Sequence, residues 1–259
     1  MAADFELTFL GTGTSVGVPV IGCDCPVCTS SDPRNRRTRS SIHLHAGEID
    51  LLVDSGPDLR EQALREGLTR MDAVLYTHAH VDHIVGFDEL RAFCWRRDSP
   101  LPMHGSAETL DTLRTMFGWA FSEKNIYRGY VKPKAVEIDG PFKYDAVKVT
   151  PLPVEHGSVV THGYLFECAG HPPTAYIPDV KKIPKETAAR LHQVDVLIID
   201  ALRPSAHPTH MSVTEALAAI DTIDPGKAWL THLGHENEHA DLESGLPAHI
   251  RVAYDGLRI

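Results

Sequence analysis

The sequence predicts an α/β fold of two sheets packed face to face with helices outside, and three observations carry the prediction. Short apolar runs recur along the chain and keep ending in residues that suit a metal: Asp54, His78, His156, Asp179, Asp200 and His232. Buried strands whose ends open on one edge, and gather ligands there, give this pattern. Between the runs lie stretches with helical spacing, such as 57–67 and 212–220, that would cover the sheets. No linker or low-complexity tract interrupts the 259 residues, so they read as a single domain, 1–259.

In chain order, Glu6-Leu7-Thr8-Phe9-Leu10 alternates as a half-buried strand does, and Gly11-Thr12-Gly13-Thr14 ends it in a tight turn. Such a turn can cradle phosphate, but this one lacks the lysine of a nucleotide-binding loop. Residues 41–45 and 49–54 read as a hairpin about Ala46-Gly47-Glu48, with His43 and His45 on one strand face. A helix over 57–67 has Leu59, Ala63 and Leu64 on one side and Gly67 as its stop. Residues 71–76 form a strand, and 88–95 and 107–117 read as helices flanking a short strand at Pro102-Met103-His104. The aromatic stretch 119–130 is irregular, either a lid over a pocket or ordinary packing. Strands follow at 147–156, 164–167, 174–179, 196–200 and 228–232, with helices at 184–191 and 212–220.

The strand at 71–76 feeds Thr77-His78-Ala79-His80-Val81-Asp82-His83. Three imidazoles and a carboxylate within six residues need partners if buried, and metal ions satisfy them together. His78 and His80 face one side of the loop while Asp82 and His83 converge one turn later, which points to two metals. A second cluster, Cys23-x-Cys25-x-x-Cys28, brings three soft thiolates within reach of one structural Zn²⁺, which wants a fourth ligand. His43, His45 and Asp24 are candidates for it. The region 22–39 therefore reads as a zinc-knuckle insertion. Thiolates used this way suit a reduced compartment, and Cys94 and Cys168, in apolar contexts, read as small core residues.

The formal charge of −10 argues against a general nucleic-acid surface. The concentrated positive run, Arg34, Arg36, Arg37 and Arg39, reads as a solvated face or as a steering patch for phosphate. No apolar run reaches membrane-spanning length, and the N-terminus has no basic leader, so a cytoplasmic protein is expected. The partner expected is a small molecule, with a second copy of the chain left open.

The motif His78-x-His80-x-Asp82-His83 resembles the signature of the metallo-β-lactamase superfamily. Leu10-Gly11-Thr12-Gly13, Gly22-Cys23-Asp24-Cys25-Pro26-Val27-Cys28, Leu52-Val53-Asp54-Ser55-Gly56 and Leu230-Thr231-His232-Leu233-Gly234-His235 are similar to its phosphoribosyl cyclic phosphodiesterase branch. The resemblance implies an αββα sandwich of two mixed sheets. It implies two divalent ions, Zn or Mn, with His78, His80 and His156 on one, Asp82, His83 and His232 on the other, and Asp179 bridging. It also implies His235 as fourth ligand of the structural zinc, Asp54 as an orienter of a ligand histidine, and His210 as proton donor, with His207 the second choice. Asp82 and Asp179 then count with His210 as catalytic, because bridged ions lower the pKa of a shared water. The expected reaction is hydrolysis of a small cyclic sugar phosphodiester. Alternatives are a thioester or lactone hydrolase on the same centre, and a non-enzymatic zinc scaffold. A transfer-RNA processing nuclease would need an RNA-binding arm that the sequence lacks.

Overall fold

The computed structural model describes residues 5–259; Met1–Asp4, on which part of the compartment reading rests, lie outside the described residues. The first sheet has six strands in the order β1 (Phe5–Gly11), β2 (Ser41–Ala46), β3 (Ile49–Val53), β4 (Ala73–Leu75), β5 (Leu101–Gly105) and β6 (Pro133–Glu137). The second has seven: β7 (Phe142–Tyr144), β8 (Val147–His156), β9 (Val159–Cys168), β10 (Thr174–Ile177), β11 (Val196–Asp200), β12 (Lys227–Thr231) and β13 (Ile250–Val252). Each sheet starts antiparallel and becomes parallel from β3 and from β10 onward. Parallel neighbours need crossovers. These are α1 (Leu59–Glu66), α2 (Val81–Ile84) with α3 (Arg91–Cys94), and α4 (Ala107–Met116) with α5 (Gly118–Phe121) on the first sheet. On the second they are α6 (Lys185–Leu191), α7 (Val213–Ile223) and α8 (His239–Ser244).

Strand periodicity sorts the side chains into three apolar layers. Leu51 and Val53 of β3 and Ile198 of β11 enter the layer between the sheets, while Leu52 faces the helices of the first sheet and Leu197 and Ile199 those of the second. Each such buried side chain contributes about 1.5–3 kcal/mol. The chain therefore folds as the expected αββα sandwich of mixed sheets. The last residues close it: Leu7 and Ile259 exchange backbone bonds of 2.9 and 3.0 Å along the free edge of β1.

The helix α1 differs from its expected face. Leu64 is exposed, whereas Gln62 is buried and donates to Thr38 Oγ1 and the Arg39 carbonyl, so this face of the helix meets a polar loop. Residues 85–90 are 3₁₀ before α3 begins. The sequence reading had no strands at β6, β7 and β13 and no helix at α8. The first two have no fully buried side chain, β13 has three residues and α8 six. Among the described residues no helix is long and apolar enough to cross a membrane.

Candidate metal centre

Because β3, β4, β8, β10, β11 and β12 all finish at one edge, Asp54, His78, His156, Asp179, Asp200 and His232 meet there. His78 follows β4, and the single turn of α2 presents Asp82 and His83. That turn can lie against the end of β3 because glycines meet there. A Cβ on Gly86 would overlap the Gly56 carbonyl, and one on Gly56 would overlap the Asp82 carbonyl.

The ligand atoms of His78, His80 and His156 lie within 4.8 Å of one another, as do those of Asp82, His83 and His232. His80 Nδ1 is 2.8 Å from His78 Nε2 and 3.3 Å from His156 Nε2. Asp179 stands between the groups, Oδ2 at 3.3 Å from His83 Nε2 and Oδ1 at 3.3 Å from His232 Nε2. The structure thus brings together every side chain that the sequence assigned to this cluster.

These residues fit divalent cations. His83 Nε2, His232 Nε2 and Asp179 Oδ2 are buried with no hydrogen-bond partner, a state that costs about 1–3 kcal/mol per group unless something satisfies it. Burial holds His78 well down and His232 at about 4, so both imidazoles are neutral and able to bind a metal. At His83 burial acts in the same direction, but Asp179, Asp82 and Asp54 outweigh it and raise its pKa well above the ordinary value. Carboxylates converge where a cation belongs.

A second set of contacts orients the first. Asp54, fully buried and held at φ 64°, accepts from Thr77 N at 2.8 Å and Thr77 Oγ1 at 2.8 Å, and pairs with His83 Nδ1 at 2.7 Å. His232 also sits at positive φ, 57°, and such backbone strain persists only where the surroundings enforce it. His156 Nδ1 donates to the Thr209 carbonyl at 2.8 Å, leaving Nε2 for the cluster.

His210 stacks on His232 with ring centroids 4.7 Å apart, and its Nδ1 pairs with Asp200 Oδ2 at 2.8 Å. Burial opposes charge on this imidazole, but Asp200 outweighs it and raises the pKa. Asp200 is fully buried, also accepts from Val180 N at 3.1 Å, and turns Oδ1 toward His232 Nδ1 at 3.9 Å. Sequence reasoning saw Asp200 only as a strand end; its partnership spans two loops that meet only in space. His207 lies 5.2 Å from His210, ring to ring, and receives the Thr209 amide at 3.3 Å. Ser212 caps α7 with a full capping box, so the loop serves that helix as well.

Cys23, Cys25 and Cys28 surround His235 Nδ1 at 3.3, 3.6 and 3.4 Å. The Cys28 amide brings the Cys25 thiol down to about 6, and burial pushes Cys28 up to about 11. Of the other candidates for fourth ligand, His43 and His45 both pair with Asp50, at 3.0 and 2.9 Å, and Asp24 is exposed. The arginine run is neither a free face nor a steering patch. Arg34 pairs with Asp32 at 2.7 Å and Arg39 with Asp58 at 3.2 Å, while Arg37 is buried and donates to Thr12 Oγ1 and the Ala253 carbonyl. Only Arg36 of the four is exposed. The glycine-rich turn after β1 likewise spends its amides internally, Thr12 N on Asp255, Gly13 N on Thr38 and Thr14 N on Leu233.

With strand-end carboxylates and imidazoles converging between two sheets, the architecture and site define a metallohydrolase of the αββα type. A family model described as a beta-lactamase superfamily domain matches residues 50–233, and the chain belongs to the metallo-β-lactamase superfamily of metal-dependent hydrolases. It is similar to a diphosphatase from the PhnP family, whose crystal structure superposes with a TM-score of 0.91 at 36% identity, covering 98% of this chain and 96% of the other. It is 38% identical over 257 residues to an octanoyltransferase of Porphyromonas gingivalis, spanning 96% of this chain but only about half, 50%, of that longer relative. Coenzyme PQQ synthesis protein B of Methylobacterium radiotolerans is 27% identical, with 98% of this chain and 99% of that one covered.

Proposed function

We propose that this protein is a dinuclear metallohydrolase of small sugar phosphodiesters. The observation that carries the reading is the His210–Asp200 pair beside the His/Asp cluster: a sugar alkoxide leaving phosphorus requires a proton donor, whereas hydroxide attack on a thioester or lactone carbonyl needs no acid as strong. In this reading His78, His80 and His156 hold one divalent ion, Asp82, His83 and His232 the other, and Asp179 both. The ions would supply an activated water at neutral pH and charge stabilisation at phosphorus. The protein's own groups do the rest. Asp54 and the Thr209 carbonyl fix the orientation of His83 and His156. Asp200 holds the proton on His210 Nδ1, so that Nε2 is the nitrogen that gives a proton to the departing sugar oxygen.

The likeness to a PhnP-family diphosphatase supports a phosphorus substrate. An acyl substrate is the competing reading, favoured by the name of the Porphyromonas gingivalis relative, which belongs to a chain of which this one covers half. Cys23, Cys25, Cys28 and His235 suit a third, structural zinc.

The test is a panel of a five-membered cyclic ribose phosphate, a chromogenic phosphodiester, a thioester and a lactone, assayed with Mn²⁺ or Zn²⁺. The diesters should turn over and the acyl compounds remain nearly intact. His210→Ala should slow sugar-alkoxide departure by about 10² while a nitrophenolate ester loses much less. Equal losses on both leaving groups would remove His210 as the acid, and preferred acyl cleavage would move the protein to the competing class.

A further inference from the structure

A second concavity, of about 440 Å³, opens between the loop after β6, the β8–β9 hairpin and α6, and contains none of the proposed metal ligands. Its volume is that of a small-molecule site. One of its walls, β8, ends in His156 of the metal cluster. His162 on β9 lies across from Pro153 on β8, and its amide donates to the Thr77 carbonyl at 3.0 Å, immediately before His78. Pro153 precedes His156 by three residues, roughly 10 Å of strand.

The lining has a definite chemistry. Pro151 and Pro153 contribute apolar faces, and Asp139, Glu186 and Arg190 stand around them with no ion pair or hydrogen bond among the described residues. Glu186 and Arg190 are four apart on α6, a spacing that ordinarily lets such a pair form, yet they remain apart. His162 Nδ1 is buried without a partner, which exposed charges nearby do not remedy. Burial keeps that imidazole's pKa down, and with Nδ1 closed off from solvent Nε2 is the nitrogen left to meet a ligand. Two carboxylates against one guanidinium make the cleft unfavourable for a second phosphate. Apolar ring faces with both donors and acceptors at the rim suit an uncharged, hydroxylated ring.

We propose that this cleft binds the neutral sugar ring on the arm of the substrate remote from the scissile phosphorus, with His162, Glu186 and Arg190 hydrogen-bonded to its hydroxyls. The proposal rests on the phosphodiesterase reading and narrows it to open-chain diesters, which have one leaving arm and one retained arm, whereas a cyclic diester has both ester oxygens on one sugar.

Three p-nitrophenyl phosphodiesters with the same leaving group and a methyl, a ribosyl or a nucleoside arm test it. KM should be about ten-fold lower for both sugar-bearing esters than for the methyl ester. Arg190→Ala and Glu186→Gln should each raise that KM about ten-fold, leaving kcat and the methyl ester unchanged. Equal changes on all three esters, or none on any, overturn the proposal; a gain confined to the nucleoside arm overturns the sugar assignment in favour of a base. If no diester turns over, the functional reading itself fails, and the cleft is judged by saturation-transfer NMR of methyl ribofuranoside with zinc-loaded protein. Transfer that disappears in Arg190→Ala supports the site, and its absence in the unaltered protein overturns it.

Discussion

At Asp200 one buried carboxylate faces two imidazoles, His210 through Oδ2 at 2.8 Å and His232 through Oδ1 at 3.9 Å. A side chain so placed sets the tautomer of the proposed acid through Oδ2, while Oδ1, too far from His232 Nδ1 for a hydrogen bond, is left without a partner. Asp200→Asn keeps the shape and removes the charge that opposes desolvation of the imidazolium. Turnover of an alkoxide-leaving diester should fall by about 10–10², with thermal stability close to that of the unaltered protein and a much smaller loss on a nitrophenolate ester. Equal losses on the two esters would reduce Asp200 to a structural role. Asp255 shows a comparable economy without chemistry: Oδ1 receives Thr12 N and Oγ1 at 2.9 and 2.8 Å, and Oδ2 receives Thr38 N and Oγ1 at 2.8 and 2.6 Å. Nothing in the local sequence of Asp255 announces those partners, which lie more than two hundred positions away.

The turn of α2 illustrates how an element is placed by residues that have no side chain to contribute. Gly86→Ala sets a methyl against the backbone of Gly56 and Ser55, so it should push Asp82 and His83 away from Asp54, with the melting temperature showing that the fold is kept. Misplacement near 1 Å costs about 10² in rate, and metal affinity should fall with it. Gly118→Ala, where a Cβ meets nothing within 4 Å, is the control. If Gly86→Ala matches that control in activity, the close approach has no bearing on the site. Strand β5 carries a different dependence. Its His104 stacks on Phe142 and bonds the Tyr144 hydroxyl at 2.7 Å, and burial brings its pKa from 6.5 down to about 4. Between those values the unfolded chain binds the extra proton, so stability rises with pH across that window and is lost as pH falls through it. In denaturant titrations at pH 4.5–6.5, His104→Gln should have a shallower slope than the parent. An unchanged slope would assign the dependence to other groups.

Across the whole molecule the cysteine cluster fastens an early loop to the end of the chain's catalytic edge, since His235 follows His232 by three residues. Fully loaded protein should contain more than two metal ions per chain. Cys25→Ser should lower zinc content and thermal stability together, because a structural metal contributes its binding free energy to folding. Unchanged metal content in that variant would remove the structural site. The sandwich itself was legible beforehand: runs such as Val196-Leu197-Ile198-Ile199-Asp200 combine a two-sided apolar strand with a polar terminus, and only buried sheets with a shared ligand edge satisfy both. The arginine run was not legible. Whether Arg37 meets solvent or the Thr12 hydroxyl depends on a C-terminal segment that the local pattern cannot see.

By itself the sequence determined the layer architecture, the catalytic edge and the identity of the clustered side chains, because period-two burial and histidine-rich strand ends are local signals. Tertiary structure alone decided that His43 and His45 go to Asp50, that Asp200 pairs with His210, and that His162 borders an open cleft, whereas the fourth side chain at the three thiols, His235, was implied by the resemblance. The reason is physical. A side chain's local chemistry states that it needs a partner, whereas the choice among competent partners is made by the packing that brings distant loops within about 3 Å.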